Sequence, residues 1–415
     1  MNLKKTLLYG LIIGTFSGSI VSFYRYALSI IEKNRINFYN LNFIIILIIS
    51  FIIGLIVAKL LQYAKYSGGS GIPQIKLEKE KKIETDGLKV SISKFFGGAI
   101  SSVVGLSFGR EGPSIQLGGA FSKYIAQKLK INIEENSDFL IAGACAGLSA
   151  AFSAPISSVI FLIEEINVFK KSTIIMAFVS SVVADFISVI IFGLKPVFDF
   201  SKTTDLTISL YFHIFLLAIL VSIFGILFNK LLLKFKTIFN DINIANEIKI
   251  AFSFMIIALI GLKFFPILGS GISILNFVTS KKYNIYILLL IIIAKILLTC
   301  FSYSTGAQGG IFLPILSIGG ICGVLYFTIL NKFGFISDVF LPNFIIIGMC
   351  AILSSVVRTP MLAVLLIFEL NGNINTLLAL SITSMVSYFF SYSLGSIPIY
   401  ESLAEAILEK DNKKK

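Results

Sequence analysis

Charge is scarce in this 415-residue chain: Asp, Glu, Lys and Arg make up 14% of it, against about 25% in a typical soluble domain. With 56% hydrophobic residues and a mean hydropathy of +0.92, water is excluded as the main solvent. Histidine is nearly absent. His213 is the only one, and in its apolar run it reads as structural rather than as a proton relay. The four cysteines, Cys145, Cys300, Cys322 and Cys350, sit in apolar surroundings without metal-like spacing and read as small core residues. No metal site and no cofactor is expected. An intramembrane enzyme would need a nucleophile with its base, or metal ligands, converging in the bilayer, and this inventory argues against one.

What the chain has in quantity is apolar length. Runs near or above the ~20 residues that cross a bilayer recur around 41 to 64, 172 to 194, 208 to 233, 284 to 300 and 374 to 394. The chain therefore crosses the membrane many times. No convincing cleavage site follows a charged start, so residues 7 to 31 read as a retained first span rather than a signal peptide. The formal charge of +13 invites a nucleic-acid reading, but the excess is localised at Lys4 and Lys5, between Lys76 and Lys89, and at Lys413 to Lys415. Such clusters beside apolar spans follow the positive-inside bias, which places both termini and the 74 to 89 segment in the cytoplasm; a cell inner membrane or plasma membrane is the expected location. Lys33 and Lys281 lie in other loops and count against that tally.

An internal repeat is visible without any second sequence. Gly109, Pro113, Gly118 and Gly119 recur as Gly310, Pro314, Gly319 and Gly320, an offset of 201. At an offset of 205, Gly143, Cys145, Ala146, Leu148, Ser149, Pro155 and Glu164 recur as Gly348, Cys350, Ala351, Leu353, Ser354, Pro360 and Glu369. Two homologous halves, 1–200 and 201–402, with a short cytoplasmic tail over 403–415, are expected. A period this long excludes a solenoid and suits transporters, which bind substrate between such halves. Sequence alone leaves open whether the halves are parallel or inverted.

Apolar segments in both halves are interrupted by Gly and Pro: Gly69-Ser70-Gly71-Ile72-Pro73, Gly109 to Pro113, Gly310 to Pro314, and Ile397-Pro398-Ile399-Tyr400. Non-helical backbone at membrane depth must be buried in protein or line a wet cavity. A helix starting there presents free N–H groups and a positive dipole end, worth about 0.3 to 2 kcal/mol toward an anion. Any one of these breaks is equally an ordinary loop or tight helix crossing; together they favour an anion site.

At these residues the chain resembles the CLC chloride channel and transporter family. Gly69 to Pro73 is similar to its G-S-G-I-P motif, Gly109 to Pro113 to G-R-E-G-P, and Gly310 to Pro314 to G-x-F-x-P, in the family's order. Lys94 to Gly98, the stretch from Ala154 to Glu165 and Tyr400 extend the likeness over nearly the whole membrane region. The resemblance implies an all-α membrane protein, two inverted repeats of tilted and discontinuous helices, paired as a homodimer with one pore per subunit.

It also implies roles. Ser70 and Tyr400 hydroxyls and the amides of Ile311 and Phe312 correspond to a central chloride site, with the backbone of Gly69 at an inner one. Such donors hold a halide without the full charge that would trap it. Glu111 corresponds to an external gate that takes the ion's place when charged and leaves it when protonated. Glu165 corresponds to an inner proton acceptor, a position where many channel-type relatives carry a non-titratable residue. Coupled chloride/proton antiport is therefore expected, with a passive channel as the alternative. Glu164 is either an accessory to proton access or a structural carboxylate like its counterpart Glu369. Arg110 and Lys94 either support the gate or belong to structural ion pairs. Without the likeness, both inner acids would read as solvated charges at a helix end.

Four features depart from the family pattern or narrow it. Gln308 stands where many relatives have Pro, and Lys76 where some have an acid beside the inner glutamate. The chain ends about fifteen residues after Tyr400, so cystathionine-β-synthase-type regulatory domains and nucleotide regulation are not expected. Ser70 with Tyr400 argues against the fluoride-exporting branch.

Overall fold

A computed structural model describes residues 2–131, 133–194 and 203–412. The expected boundary near residue 200 and the lysines at 413 to 415 lie outside the described residues. Among the described residues the chain is helical, with two isolated backbone bridges and no strand. The helices run α1 (Leu3–Tyr39), α2 (Phe43–Tyr63), α3 (Ile72–Lys79), α4 (Gly87–Val104), α5 (Glu111–Lys128), α6 (Ile133–Phe152), α7 (Pro155–Glu164) and α8 (Lys171–Phe192) in the first half. The second half holds α9 (Leu210–Asp241), α10 (Asn246–Lys263), α11 (Ile272–Thr279), α12 (Ile285–Ser304), α13 (Phe312–Lys332), α14 (Leu341–Val357), α15 (Pro360–Asn371), α16 (Leu377–Ser393) and α17 (Ile399–Asn412).

Among the described residues eight helical segments are long and apolar enough to span a bilayer, including α13 and α14, which the apolar runs named above do not include. These two are mostly buried inside the protein. By contrast α2 and α8 turn Ile44, Ile48, Phe186 and Ile190 outward, the side that meets lipid. At 37 residues, α1 is about 55 Å long and must tilt to fit the hydrocarbon layer.

Small residues set the closest helix crossings. Gly10, Gly14 and Gly18 form a stripe on α1 against α8, where a Cβ on Gly14 would stand 2.7 Å from the Ser180 carbonyl. In apolar surroundings, where burial against lipid gains little, such backbone approach supplies the packing attraction. The α5–α6 contact uses Gly118 against Gly143, and the α13–α14 contact uses Gly319 against Gly348. These are the residues of the sequence repeat.

The repeat extends to hydrogen bonds. Ser149 donates to the Ser181 carbonyl at 2.8 Å, and Ser354 to the Ser384 carbonyl at 2.7 Å. Glu164, ending α7, accepts from Met361 and Leu362 at the start of α15 at 3.0 and 2.7 Å. Reciprocally Glu369, near the end of α15, accepts from Ile156 and Ser157 at the start of α7 at 3.0 and 2.8 Å. Each acid caps the other helix's N-terminus, so the equivalent helices run antiparallel and the halves are inverted about a two-fold relation.

Candidate functional site

Helices α3, α5, α13 and α17 all begin at the Gly/Pro breaks, and backbone pairing ties three of these breaks together. Gly69 donates to the carbonyls of Gly306 and Ala307, both at 3.1 Å, and accepts from Gly309 at 3.1 Å. Gly109 and Gly310 exchange both their hydrogen bonds, at 2.7 and 2.9 Å. These bonds satisfy backbone groups that would cost several kcal/mol each if left bare in the membrane. The wholly buried Lys94 donates to the carbonyls of Ser67 at 2.9 Å and Gly69 at 2.8 Å. It has no acidic ion-pair partner among the described residues, and it braces the first break.

Glycines let the broken ends meet. Gly112 in α5 packs on Ser70, where a Cβ would lie 2.8 Å from the Ser70 carbonyl, and a Cβ on Gly109 would lie 3.0 Å from the Leu313 amide. The starts of α3, α5 and α13 are thereby gathered, with Ser70, Glu111, Ile311 and Phe312 all buried at the junction. The Phe312 ring lies 5.5 Å from that of Phe152, tilted by 57°. Tyr400, buried in the first turn of α17, lies within electrostatic reach of Glu111, Glu165 and Tyr303.

Several polar atoms at this junction are buried without a hydrogen-bond partner: the hydroxyls of Ser70 and Tyr400 and both carboxylate oxygens of Glu111. A buried group left so costs about 1 to 3 kcal/mol, more when charged. Glu111 sits at the positive end of α5, and its Oε1 is 3.7 Å from Arg110 Nε, which itself makes no hydrogen bond. Arg110 is thus a loose ion-pair neighbour, not a tight clamp. The structure adds Tyr303, whose hydroxyl accepts from the Ser70 amide at 3.4 Å and covers Gly69. Its only sequence signal is an aromatic hydroxyl three residues before the Gly306 turn.

Glu165 lies apart from Glu111, buried beyond the end of α7. Lys76 of α3 stands between it and Glu401, at 3.5 Å and 3.6 Å. Glu401 follows Tyr400 in the same helical turn, a link to Glu165 that no local pattern in the sequence marks. Ala404 is buried with Leu77 and Ile83 and Leu403 in the main core, so this segment holds α3 in place. Gln308, the departure beside the third motif, donates to Ser93 Oγ at 2.9 Å and bridges to Gly69 through its backbone. His213 contacts the Tyr326 hydroxyl at 3.2 Å and belongs to an aromatic cluster. The four cysteines are free and buried.

Two ends of this arrangement can be told apart. Tyr39 donates to the Val104 carbonyl and Arg35 to that of Ser102, at the C-terminal end of α4. Lys123 bonds to Glu78 and to the Thr85 carbonyl beside the helix's N-terminal end. The 18 residues of α4 separate the two by about 27 Å. A cleft containing Gly109 and Arg110 opens at the Arg35 end.

A family model described as voltage gated chloride channel matches residues 49–392. The H(+)/Cl(-) exchange transporter ClcA of Vibrio cholerae is 30% identical over 97% of this chain and 90% of its own length. The protein of the same name from Vibrio parahaemolyticus is 29% identical over 98% and 90%. Among solved structures, a slow cyanobacterial Cl-/H+ antiporter superposes with a TM-score of 0.89 at 27% identity, covering 98% of this chain and 99% of that one. A CLC-type fluoride/proton antiporter, at 22% identity and a TM-score of 0.79 over 96% and 97%, shares the fold.

Proposed function

The chain belongs to the voltage-gated chloride channel family, and from that premise we propose that it exchanges chloride for protons across the membrane. The observation that carries this reading is the Glu111 carboxylate, wholly buried at a helix N-terminus with no hydrogen bond, among hydroxyls that also lack partners. An anion centre built this way accepts either a halide or the carboxylate. When Glu111 is charged it takes the seat; when protonated it loses the attraction of the α5 dipole and yields to chloride. One proton is thereby tied to anion movement.

In this reading the hydroxyls of Ser70 and Tyr400 and the amides of Ile311 and Phe312 hold the central chloride, and the Gly69 backbone lies nearer the inner side. Lys94 supports the gate indirectly, through the Ser67 and Gly69 carbonyls to which it donates. Arg110 supports the charged gate from its outer side. Glu165 receives protons at the other face, where Lys76 and Glu401 bound it. Glu164 holds the halves together, because its carboxylate is engaged by two amides. The transport unit comprises the halves 1–200 and 201–402 with the segment 403–415, in a cell inner or plasma membrane with both termini cytoplasmic. It works as a homodimer with one path per subunit.

Protein reconstituted in vesicles tests the reading. An imposed chloride gradient drives protons uphill in an exchanger, and chloride flux with no proton movement identifies a channel instead. Glu111→Gln is expected to retain chloride flux and lose proton coupling and most pH dependence. Unchanged coupling in that variant removes Glu111 from the mechanism.

A further inference from the structure

The Ser70 loop has a second copy. Gly269-Ser270-Gly271-Ile272 repeats Gly69-Ser70-Gly71-Ile72 at an offset of 200, with Ser273 in place of Pro73. The two loops share a backbone: φ is 64° and 96° at Gly69 and Gly71, and 67° and 105° at Gly269 and Gly271. These left-handed values favour glycine. Each loop starts an eight-residue helix, α3 or α11. Beneath the second loop Lys295, wholly buried, donates to the carbonyls of Ile267 at 2.9 Å and Gly269 at 2.8 Å, as Lys94 does to Ser67 and Gly69. The packing partner is conserved in position too: Gly71 faces Gln116 and Gly271 faces Ser317, 201 residues apart.

Inversion puts the copies on opposite sides of Glu111. Ser70 lies against Gly112, just after the gate acid. Ser270 lines the cleft that also contains Gly109 and Arg110, just before it. Ser270 is 8% exposed, and its hydroxyl has no hydrogen-bond partner among the described residues. Gly271 offers no side-chain cap to α11, and Ile272, the first residue of that helix, lines the same cleft. The Arg110 guanidinium enters from the other wall, its Nε without a hydrogen bond and 3.7 Å from Glu111. Arg35 packs on Gly269, its Nη1 2.6 Å from where a Cβ would stand. Glu32 is the one carboxylate lining the cleft, and it is paired with Arg35 at 3.9 Å. The walls therefore offer a hydroxyl, a helix N-terminus and the Arg110 guanidinium, with Arg35 behind the loop offsetting Glu32, a donor set for a small monovalent anion.

We propose that the cleft between Arg110 and the Ser270 loop is an anion-loading site that holds a halide-sized ion before it reaches the seat contested by Glu111. It rests on the transport reading for the identity of the ion, but its occupancy can be measured without transport. The repeat accounts for its existence: an inverted duplication that builds one serine loop below the gate also builds one above it.

Accessibility of a thiol placed in the cleft tests this directly, since the four native cysteines are buried. Full-length Ser270→Cys is treated with a small anionic methanethiosulfonate in chloride, and in gluconate at equal ionic strength. Chloride is expected to slow modification several-fold; equal rates, or a thiol that never reacts, overturn the site. In vesicles Ser270→Ala is expected to raise the half-saturating chloride on the cleft side about fivefold, the worth of one neutral donor. Ser270→Thr should restore it, and the proton-to-chloride ratio should hold throughout. An unchanged half-saturation, or a shift that Ser270→Thr does not reverse, counts against the site. Should the variants fail to fold, diffraction from the unaltered protein in bromide decides: an anomalous peak within hydrogen-bond reach of Ser270 supports the proposal, and peaks confined to the Ser70 side overturn it. Chloride flux without protons in the unaltered protein would end the exchange reading and leave this site standing.

Discussion

Glu164 and Glu369 share a helical framework with Glu111, yet their surroundings are opposite. Each of the first two accepts two backbone amides at the start of the other's helix, and Glu369 also accepts from the Ser157 hydroxyl. Glu111 is more deeply buried, stands at a helix N-terminus of its own, and has neither oxygen bonded. A carboxylate that has found its donors is a rivet. One surrounded by donors it does not engage is free to be replaced, and the same helix dipole serves both ends. What separates structure from mechanism here is hydrogen-bond satisfaction rather than burial or residue type.

After the loss of coupling expected in Glu111→Gln, the strongest way to break this comparison is to remove a rivet. Glu369→Ala strips the charge-assisted acceptors from the Ile156 and Ser157 amides and is expected to lower stability by about 2 kcal/mol. Glu164→Ala should cost a similar amount, because the bonds are reciprocal. Thermal unfolding in detergent reads both, and vesicle assays of the surviving protein should give an unaltered proton-to-chloride ratio for Glu369→Ala. If Glu164→Ala alone changes that ratio, Glu164 carries protons as well as holding the halves.

Glu165 falls between these extremes, and Lys76 makes it so. The ammonium lies 3.5 Å from one acid and 3.6 Å from Glu401, so it favours the charged form of Glu165, while Glu401 and Glu164 oppose it. Replacing the cation by an apolar chain removes that preference for charge. Protonation then persists to higher pH, and in Lys76→Met the pH profile of exchange, varied on the Lys76 side, is expected to move alkaline by about one unit. Profiles that coincide would detach Lys76 from the proton route and leave it a brace between α3 and α17.

How much of this was legible in sequence follows from the same distinction. The breaks could be read because Gly and Pro leave a local signature wherever a helix must stop inside a membrane. The offset pairs Pro155/Pro360 and Glu164/Glu369 exposed the duplication, since equivalent positions keep equivalent bonds. Inversion could not be read, because similarity carries no direction; it took the reciprocal caps at Met361 and Ile156 to reveal it. Tyr303 was missed because it joins Ser70 across 233 residues, through a pairing of loops that no local pattern encodes. The Ser270 loop was present as a near-identical pentapeptide, but its meaning depended on knowing which side of Glu111 it faces.

The smallest effect belongs to the residue that chemistry alone would nominate first. Histidine is the one side chain whose ordinary titration falls near neutral pH, and a proton-coupled transporter with a single histidine invites the assignment. His213 instead stands in the first turn of α9, bonded to Tyr326 and packed near Phe212 and Phe335, and Glu111 and Glu165 feel charges from other residues. His213→Phe keeps the ring stacking and loses one neutral hydrogen bond, so stability should fall by about 1 kcal/mol or less. Exchange ratio and pH profile should superimpose on those of the unaltered protein in the same vesicles. A profile that loses an inflection near neutrality would return His213 to the proton path, and would show that satisfaction of hydrogen bonds is too narrow a criterion for telling a rivet from a working group.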